Sequence, residues 1–189
     1  SGEPFPPVLK IRWSPEPTNG SAKSDGSSNS ALNKAYNRLS IGGENTMFNN
    51  VYNGKTVLVT GHTGFKGSWL SIWLNMMGAK VVGYSLDPYS ERGNFEACHL
   101  HDRLLADVRG DTRDYEKLNQ TIKQYRPEII FHLAAQALVR KAYAHPRETY
   151  ETNLMGSLNI MEAVRENDCV KTVVMITSCL LYTSDAADE

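Results

Sequence analysis

Cysteine is scarce in this sequence, and it has neither an excess of charge of one sign nor a long apolar run. The three cysteines, Cys98, Cys169 and Cys179, lie far apart and form no Cys-x-x-Cys pair. We therefore expect no disulfide framework and no metal site, and interpret them as free thiols of a cytoplasmic protein. The 20 basic residues balance 21 acidic ones, which excludes a broadly positive surface for nucleic acid. No apolar run approaches the roughly 20 residues that cross a bilayer, so no membrane partner is expected.

The length of 189 residues and the hydrophobic content of 41% suit one ordinary domain and are short for a complete two-domain enzyme. Residues 1–46 differ from the rest because Ser, Asn, Gly and Pro dominate them, and we predict that they are disordered. Three interpretations stay open: a flexible tail, a partner-binding tail, or upstream sequence translated in frame ahead of Met47.

From Lys55 onward, short apolar strands alternate with longer helical periods, a pattern typical of parallel βαβ units. Strands are predicted at residues 56–60, 80–84, 104–108, 128–133 and 171–177. The helix after the first strand is expected to be buried on most sides, Asp114 is expected to cap another, and a long helix is expected from Pro146. The predicted fold class is α/β, a doubly wound parallel sheet of the Rossmann type over residues 47–178. We predict the strand order 3-2-1-4-5 and truncation after the fifth strand.

A glycine run follows the first strand. Gly61, Gly64 and Gly67 are spaced three apart between a strand and a helix, so the backbone can turn tightly and approach a pyrophosphate at the helix N-terminus. A P-loop would place Lys after its second glycine, whereas Lys66 precedes Gly67. A glycine turn needed only for close packing is the other interpretation. The context favours a dinucleotide site.

Asp87 lies at the end of the second predicted strand, about 20 residues beyond the last glycine, where a Rossmann site carries an acid for the ribose 2′-hydroxyl. Its carboxylate would repel a 2′-phosphate, which favours NAD over NADP, although Arg92 nearby would favour the reverse. An Asp-Pro turn would also account for Asp87.

These motifs resemble the extended short-chain dehydrogenase/reductase family. Its fingerprint is matched by Gly61-x-x-Gly64-x-x-Gly67, its second cofactor motif by Leu133-Ala134-Ala135, and a later position by Thr152-Asn153. Within the family, residues 61–70 (GHTGFKGSWL) and 132–140 (HLAAQALVR) resemble the CDP-glucose 4,6-dehydratase group. The resemblance implies NAD-dependent conversion of a nucleotide-activated glucose to its 4-keto-6-deoxy form.

The resemblance also implies roles for individual residues. The cofactor-binding candidates are Gly61, Thr63, Gly64, Phe65, Lys66, Gly67, Asp87, Asp111, Thr112, Leu133, Ala134, Ala135 and Thr152. Gln136 and Arg140 are expected to contact the nucleotide-sugar substrate, and Ser178 the reacting hydroxyl. A helix cap for Asp111, core packing for residues 133–135, a solvated Arg140 and a core role for His132 are the alternatives.

Everything after Ser178 departs from the family. Residues 179–189 resemble a translated sequencing adapter, and Tyr182 is followed by Ala186 rather than by the Lys of a Tyr-x-x-x-Lys motif. We therefore expect the catalytic Tyr and Lys and a C-terminal substrate domain to be missing, and this chain to be an inactive fragment. The resemblance also makes a homodimer of the parent one expectation, with the helix from Pro146 as a candidate contact; a core face is the other interpretation of that helix. Another nucleotide-sugar epimerase or dehydratase, or a non-catalytic NAD-binding module, remains an alternative.

Overall fold

A five-stranded parallel sheet organises residues 47–176, the part of the chain that the computed structural model describes. Residues 1–46 and 177–189, which include Ser178, lie outside the described residues. The strands are β1 (Thr56–Thr60), β2 (Lys80–Ser85), β3 (Ala106–Arg109), β4 (Ile129–His132) and β5 (Thr172–Met175). They pair in parallel in the order β3-β2-β1-β4-β5, which confirms the predicted α/β class and strand order.

Helices connect the strands. They are α1 (Phe65–Met76), α2 (Asn94–Ala97), α3 (Tyr115–Tyr125), α4 (Val139–Ala144), α5 (Pro146–Tyr150) and α6 (Gly156–Glu166). A π-helical turn at Glu151–Met155 joins α5 to α6, and 3₁₀ turns lie at Met47–Asn50 and Leu100–Arg103. The predicted cap of α3 is confirmed, because the Asp114 carboxylate accepts a hydrogen bond of 3.1 Å from the Lys117 amide.

Apolar side chains cover both faces of the sheet, because successive residues of a strand point to opposite faces. One core cluster joins alternate strand positions to α3 and α6 and comprises Leu58, Val82, Tyr84, Leu118, Ile122, Ile130, Ile160 and Ala163. The other lies against α1 and comprises Val57, Val59, Leu74, Met77, Ala79 and Val81. Burial on both faces fixes the strands and leaves their carboxyl ends at one edge, where such sheets bind ligands.

Two local predictions were wrong. Strand β3 begins at Ala106 rather than at residue 104, and Leu105 is 52% exposed just before it. Helix α1 is not buried on most sides, since Trp69 and Trp73 are 52% and 43% exposed. Only one face of α1 lies against the sheet. The spacing of apolar residues predicted the helix correctly, but it did not determine how much of the helix surface is buried.

The long helical segment from Pro146 presents an apolar stripe to solvent. Its exposed members are Tyr150, Leu154, Met155, Leu158 and Met161. Partly buried Val164 packs instead against the α3–α6 core. Among the described residues, no helix combines the length and apolar character needed to cross a membrane.

Candidate functional site

The chain leaves β1 through a turn that only glycine fits. Gly61 has φ +72°, and a Cβ there would lie 2.9 Å from the amide nitrogen of Ala134. At Gly67 a Cβ would lie 2.1 Å from the carbonyl oxygen of Gly61. The glycine loop therefore folds back onto both the start of α1 and the segment after β4, with backbone where side chains would collide.

The N-terminus of α1 has no side-chain cap among the described residues. Gly64 occupies the cap position in an extended conformation, and no side chain of the described residues bonds the first amides of the helix. These free N–H groups and the helix dipole favour an anion. Phe65, 74% exposed, and exposed Lys66 begin the helix, so the loop and the first turn of α1 form an open cradle for a phosphate group.

The hydroxyl of Thr60, at the end of β1, holds the segment after β4 in place. Its Oγ1 accepts hydrogen bonds from the amides of Leu133 and Ala134, at 3.1 and 3.2 Å. The remaining hydroxyl proton is donated to Nδ1 of His132, 2.8 Å away. The predicted residues Leu133 and Ala134 are thus brought against the glycine loop.

His132 is 3% exposed and has a partner at each ring nitrogen. Because Thr60 donates to Nδ1, Nε2 carries the proton and donates to Ser157 Oγ at 3.2 Å. Burial lowers the pKa of His132 to about 4, so the ring is neutral at ordinary pH. These contacts fit the core interpretation of His132.

Gln136 and Asn153 form a clamp behind this segment. The Asn153 amide accepts from the backbone N–H of Gln136 at 2.7 Å and donates to its carbonyl at 3.1 Å. The Gln136 side chain bonds the backbone of Leu138 and the hydroxyl of Thr149. Gln136 therefore has a structural task beside the substrate contact expected of it. Arg140 is exposed on α4, while Thr152 and Asn153 lie in the π-helical turn.

Thr63 bonds the end of β2, next to the turn that carries Asp87. Thr63 Oγ1 lies 2.7 Å from Ser85 Oγ and donates to the Leu86 carbonyl at 3.1 Å, which joins the glycine loop to the turn that carries Asp87. The Asp87 side chain is 89% exposed, and its Oδ1 lies 3.5 Å from Nε of Arg109. The Asp87 carboxylate is therefore exposed at this end of the sheet.

Asp111 and Thr112 follow β3. Hydrogen bonds from the Arg113 guanidinium hold the pKa of Asp111 below its usual value. The hydroxyl of Tyr84 donates to the Asp111 carbonyl at 2.9 Å. Thr112 is buried, and its carbonyl accepts from Asn159 of α6 at 2.9 Å. The Asp111 carboxylate is thus already bonded by Arg113. The backbone of Asp111, just beyond β3, is held by the hydrogen bond from Tyr84 to its carbonyl.

A largely buried hydrogen bond between His62 of the glycine loop and Asp107 was not predicted from the sequence. His62 is fully buried, and its Nε2 donates to Asp107 Oδ1 at 2.8 Å. Burial lowers the pKa of His62, which Asp107 opposes. The ring packs edge-on against Phe95, with centroids 5.4 Å apart. The sequence offered one indication of this contact, a histidine inside a glycine run. It did not indicate the partner, because Asp107 lies on β3, two strands from β1 in the sheet.

A second feature that the sequence pattern did not indicate is a group of potential metal ligands. His99, His101 and Asp102 place one ligand atom each within 4.8 Å of the others. All three side chains are exposed, and His101 is already paired with Asp102 at 3.2 Å. The three ligand atoms are close enough together to bind one metal ion, but no other observation in the described residues points to a metal there.

Comparisons with known proteins agree with this geometry. The chain is 51% identical over 133 residues to CDP-glucose 4,6-dehydratase of Salmonella typhimurium, a match that covers 70% of this chain and 37% of that protein. The crystal structure of UDP-glucose 4-epimerase from Brucella ovis in complex with NAD matches with a TM-score of 0.56 and 29% identity, over 67% of this chain and 36% of that one. UDP-glucose 4-epimerase of Thermotoga maritima with UDP-glucose matches with a TM-score of 0.55 and 32% identity, over 64% and 37% of the two chains.

The chain therefore spans little more than a third of the length of these relatives. A family model described as GDP-mannose 4,6 dehydratase matches residues 58–182, which include the last three residues of β1, the glycine loop and every described element that follows. The chain belongs to the GDP-mannose 4,6 dehydratase family.

Proposed function

We propose that this chain binds NAD along the carboxyl edge of its sheet. The observation that carries the proposal is the start of α1, where the tight glycine loop leaves the first amides of the helix without a side-chain cap and available to a pyrophosphate. The relative from Brucella ovis, which shares the fold, was crystallised with NAD. The proposed contacts are Gly61, Thr63, Gly64, Phe65, Lys66, Gly67, Asp87, Asp111, Thr112, Leu133, Ala134, Ala135 and Thr152.

The reaction that we propose for the parent protein is dehydration of CDP-glucose to its 4-keto-6-deoxy sugar. The 51% identity to a CDP-glucose 4,6-dehydratase supports this substrate. Bound NAD would supply the redox chemistry, which is the transfer of a hydride from C4 and its return to C6 after the loss of water across C5 and C6. The chain's own residues position the reactants.

We assign the positioning roles from the chemistry of the backbone and side-chain groups in the site. The first amides of α1 and Lys66 hold the pyrophosphate, and Asp87 accepts from the adenosine ribose. Exposed Arg140 offers forked donors to the substrate diphosphate, with Gln136 beside it. Ser178 donates to the reacting hydroxyl.

We further propose that residues 47–178 are the NAD-binding part of a longer enzyme, with residues 1–46 and 179–189 outside the domain. No tyrosine in the sequence is followed four positions later by lysine, so the motif that provides the base in this family is absent. The short span relative to the Salmonella protein supports the same view. On this proposal the chain alone binds NAD and turns over no substrate.

A second candidate is a nucleotide-sugar epimerase. The two solved relatives are both UDP-glucose 4-epimerases. Dehydration removes one water, whereas epimerisation leaves the mass of the sugar unchanged, so the product distinguishes the two reactions.

The function is tested in two steps. Titration of the 189-residue chain with NAD in a calorimeter is expected to show one site per chain. The parent protein, given CDP-glucose and NAD, is expected to yield a 4-keto sugar that has lost one water by mass spectrometry, and no product from UDP-glucose. An isomer of unchanged mass would replace the dehydratase proposal with the epimerase, and no heat from NAD would remove the cofactor site.

We also propose that the parent forms a homodimer through the exposed stripe on the helical segment from Pro146. Leu154 and Leu158 are 60% and 54% exposed, and burying such side chains favours association. Replacing both with glutamate in the parent is expected to convert a dimer to a monomer in size-exclusion chromatography with light scattering. The matched control is Leu105→Glu, at a position that is 52% exposed outside the stripe. A double variant that remains dimeric would contradict the proposal.

A further inference from the structure

A fixed guanidinium lies beside the acid proposed to bind ribose. Arg109 ends β3, which pairs with the end of β2 so that Arg109 is opposite Ser85. Its Nε lies 3.5 Å from Asp87 Oδ1, and its Nη1 donates to the Leu86 carbonyl at 3.3 Å. The sequence pattern had pointed to Arg92, whose backbone N–H instead bonds Ser90 within the loop. The cation that contacts Asp87 in the structure is Arg109.

Contacts with two further side chains hold the guanidinium in place. Arg109 Nη2 donates to Asp107 Oδ2 at 2.8 Å, and Asp107 is in turn bonded by fully buried His62. The guanidinium carbon lies 5.1 Å from the ring centre of Phe95, a residue only 1% exposed. A continuous set of contacts thus runs from the glycine loop to Arg109, so moving the cation would disturb the loop itself.

Exposure differs sharply between the two partners. The Arg109 side chain is 36% exposed and has several anchors, whereas the Asp87 side chain is 89% exposed and has Arg109 as its ionic partner in the structure. Asp87 can therefore turn away at little cost, while the cation stays.

The local charges explain how the pair would select a dinucleotide. Asp87 and Asp107 provide two negative charges against one from Arg109, and burial lowers the pKa of His62, which disfavours a positive charge on its ring. The net negative charge disfavours a dianionic 2′-phosphate. Without the Asp87 carboxylate the charge is balanced, and the Nε–H group of Arg109 would be free to donate to a phosphate oxygen.

We propose that Arg109 forms a 2′-phosphate-binding position which the Asp87 carboxylate occupies in this protein. The selectivity for NAD over NADP then results from competition between Asp87 and the phosphate for the same guanidinium. Arg109 is a specificity-determining residue, and NADP binds by displacing Asp87. This inference rests on the proposed NAD binding. It identifies the residue that determines selectivity at the adenosine ribose.

The test is a double-mutant cycle on the 189-residue chain. Wild type, Asp87→Asn, Arg109→Met and the double variant are each titrated with NAD and with NADP. Wild type is expected to prefer NAD. Asp87→Asn is expected to raise the ratio of NADP to NAD affinity by about tenfold or more, the scale of one charge-assisted contact. Adding Arg109→Met is expected to abolish that gain, and adding Arg109→Lys to retain part of it.

The affinity ratio is measured within each variant, so a general loss of stability does not imitate the effect. Arg165→Met removes a surface guanidinium paired with Glu162 and is expected to leave the ratio unchanged. An equal gain for NADP in Asp87→Asn with and without Arg109 would overturn the inference while leaving NAD binding intact. Wild type that binds neither dinucleotide would overturn the proposed function and the inference with it.

Discussion

Replacing Gly67 with alanine is expected to lower the affinity for NAD by about 100-fold, measured by calorimetric titration. A Cβ at this position would lie 2.1 Å from the carbonyl oxygen of Gly61, which is backbone and cannot rotate away. Relief of such overpacking costs about 1–3 kcal/mol, and every 1.4 kcal/mol corresponds to about tenfold in affinity. The loop must move off α1, so the amides would no longer converge on the pyrophosphate.

Gly54→Ala is the matched control. Gly54 also has a positive φ, +73°, but a Cβ there meets nothing within 4 Å. This variant carries backbone strain of about 1 kcal/mol without a collision, and it is expected to bind NAD as wild type does. Equal affinities for Gly67→Ala and wild type would show that the loop is not the pyrophosphate site.

Acid is expected to destabilise the fold through His132, by about 3 kcal/mol between pH 6.5 and pH 4. The pKa of the ring is 6.5 when unfolded and about 4 in the fold, because burial disfavours the charged form. Above pH 6.5 neither state is protonated and no penalty exists. Below pH 6.5 the ring is protonated in the unfolded state but not in the native state. The free energy of unfolding therefore falls until the native ring is itself protonated near pH 4. His62, whose pKa burial also lowers, acts in the same direction.

Urea unfolding over a series of pH values measures this dependence. His132→Gln removes the titrating ring, so its free energy of unfolding is expected to fall less steeply over the same interval than that of wild type. His145→Gln, at an exposed position, serves as the control and is expected to follow wild type. Parallel curves for wild type and His132→Gln would contradict the assignment.

Local patterns were enough to predict the sheet and the glycine loop. The strands around Val57–Val59, the cap at Asp114 and the spacing of the loop glycines all depend on residues close in sequence, and the structure has them as predicted. The start of β3 differed, because a short apolar run does not reveal where pairing with β2 begins.

The rest of the site depends on contacts between distant residues. Arg109 reaches Asp87 only because the register pairs Ser85 with Arg109, and His62 meets Asp107 across 45 positions of sequence. The π-helical turn that carries Asn153 has no local signature in the pattern. Likewise, the helical period located the stripe with Leu154 but could not determine which surface covers it. Register and side-chain partners arise from tertiary packing, which periodicity does not encode.

The single hydroxyl of Thr60 has a thermodynamic consequence for ligand binding. It bonds the amides of Leu133 and Ala134 and the ring of His132, so three groups on β4 and the segment after it are fixed to β1. This wall of the cradle is preorganised, since its backbone is ordered before any dinucleotide arrives. The entropy of ordering it is lost during folding rather than during association, so the ligand retains more of its interaction free energy as affinity.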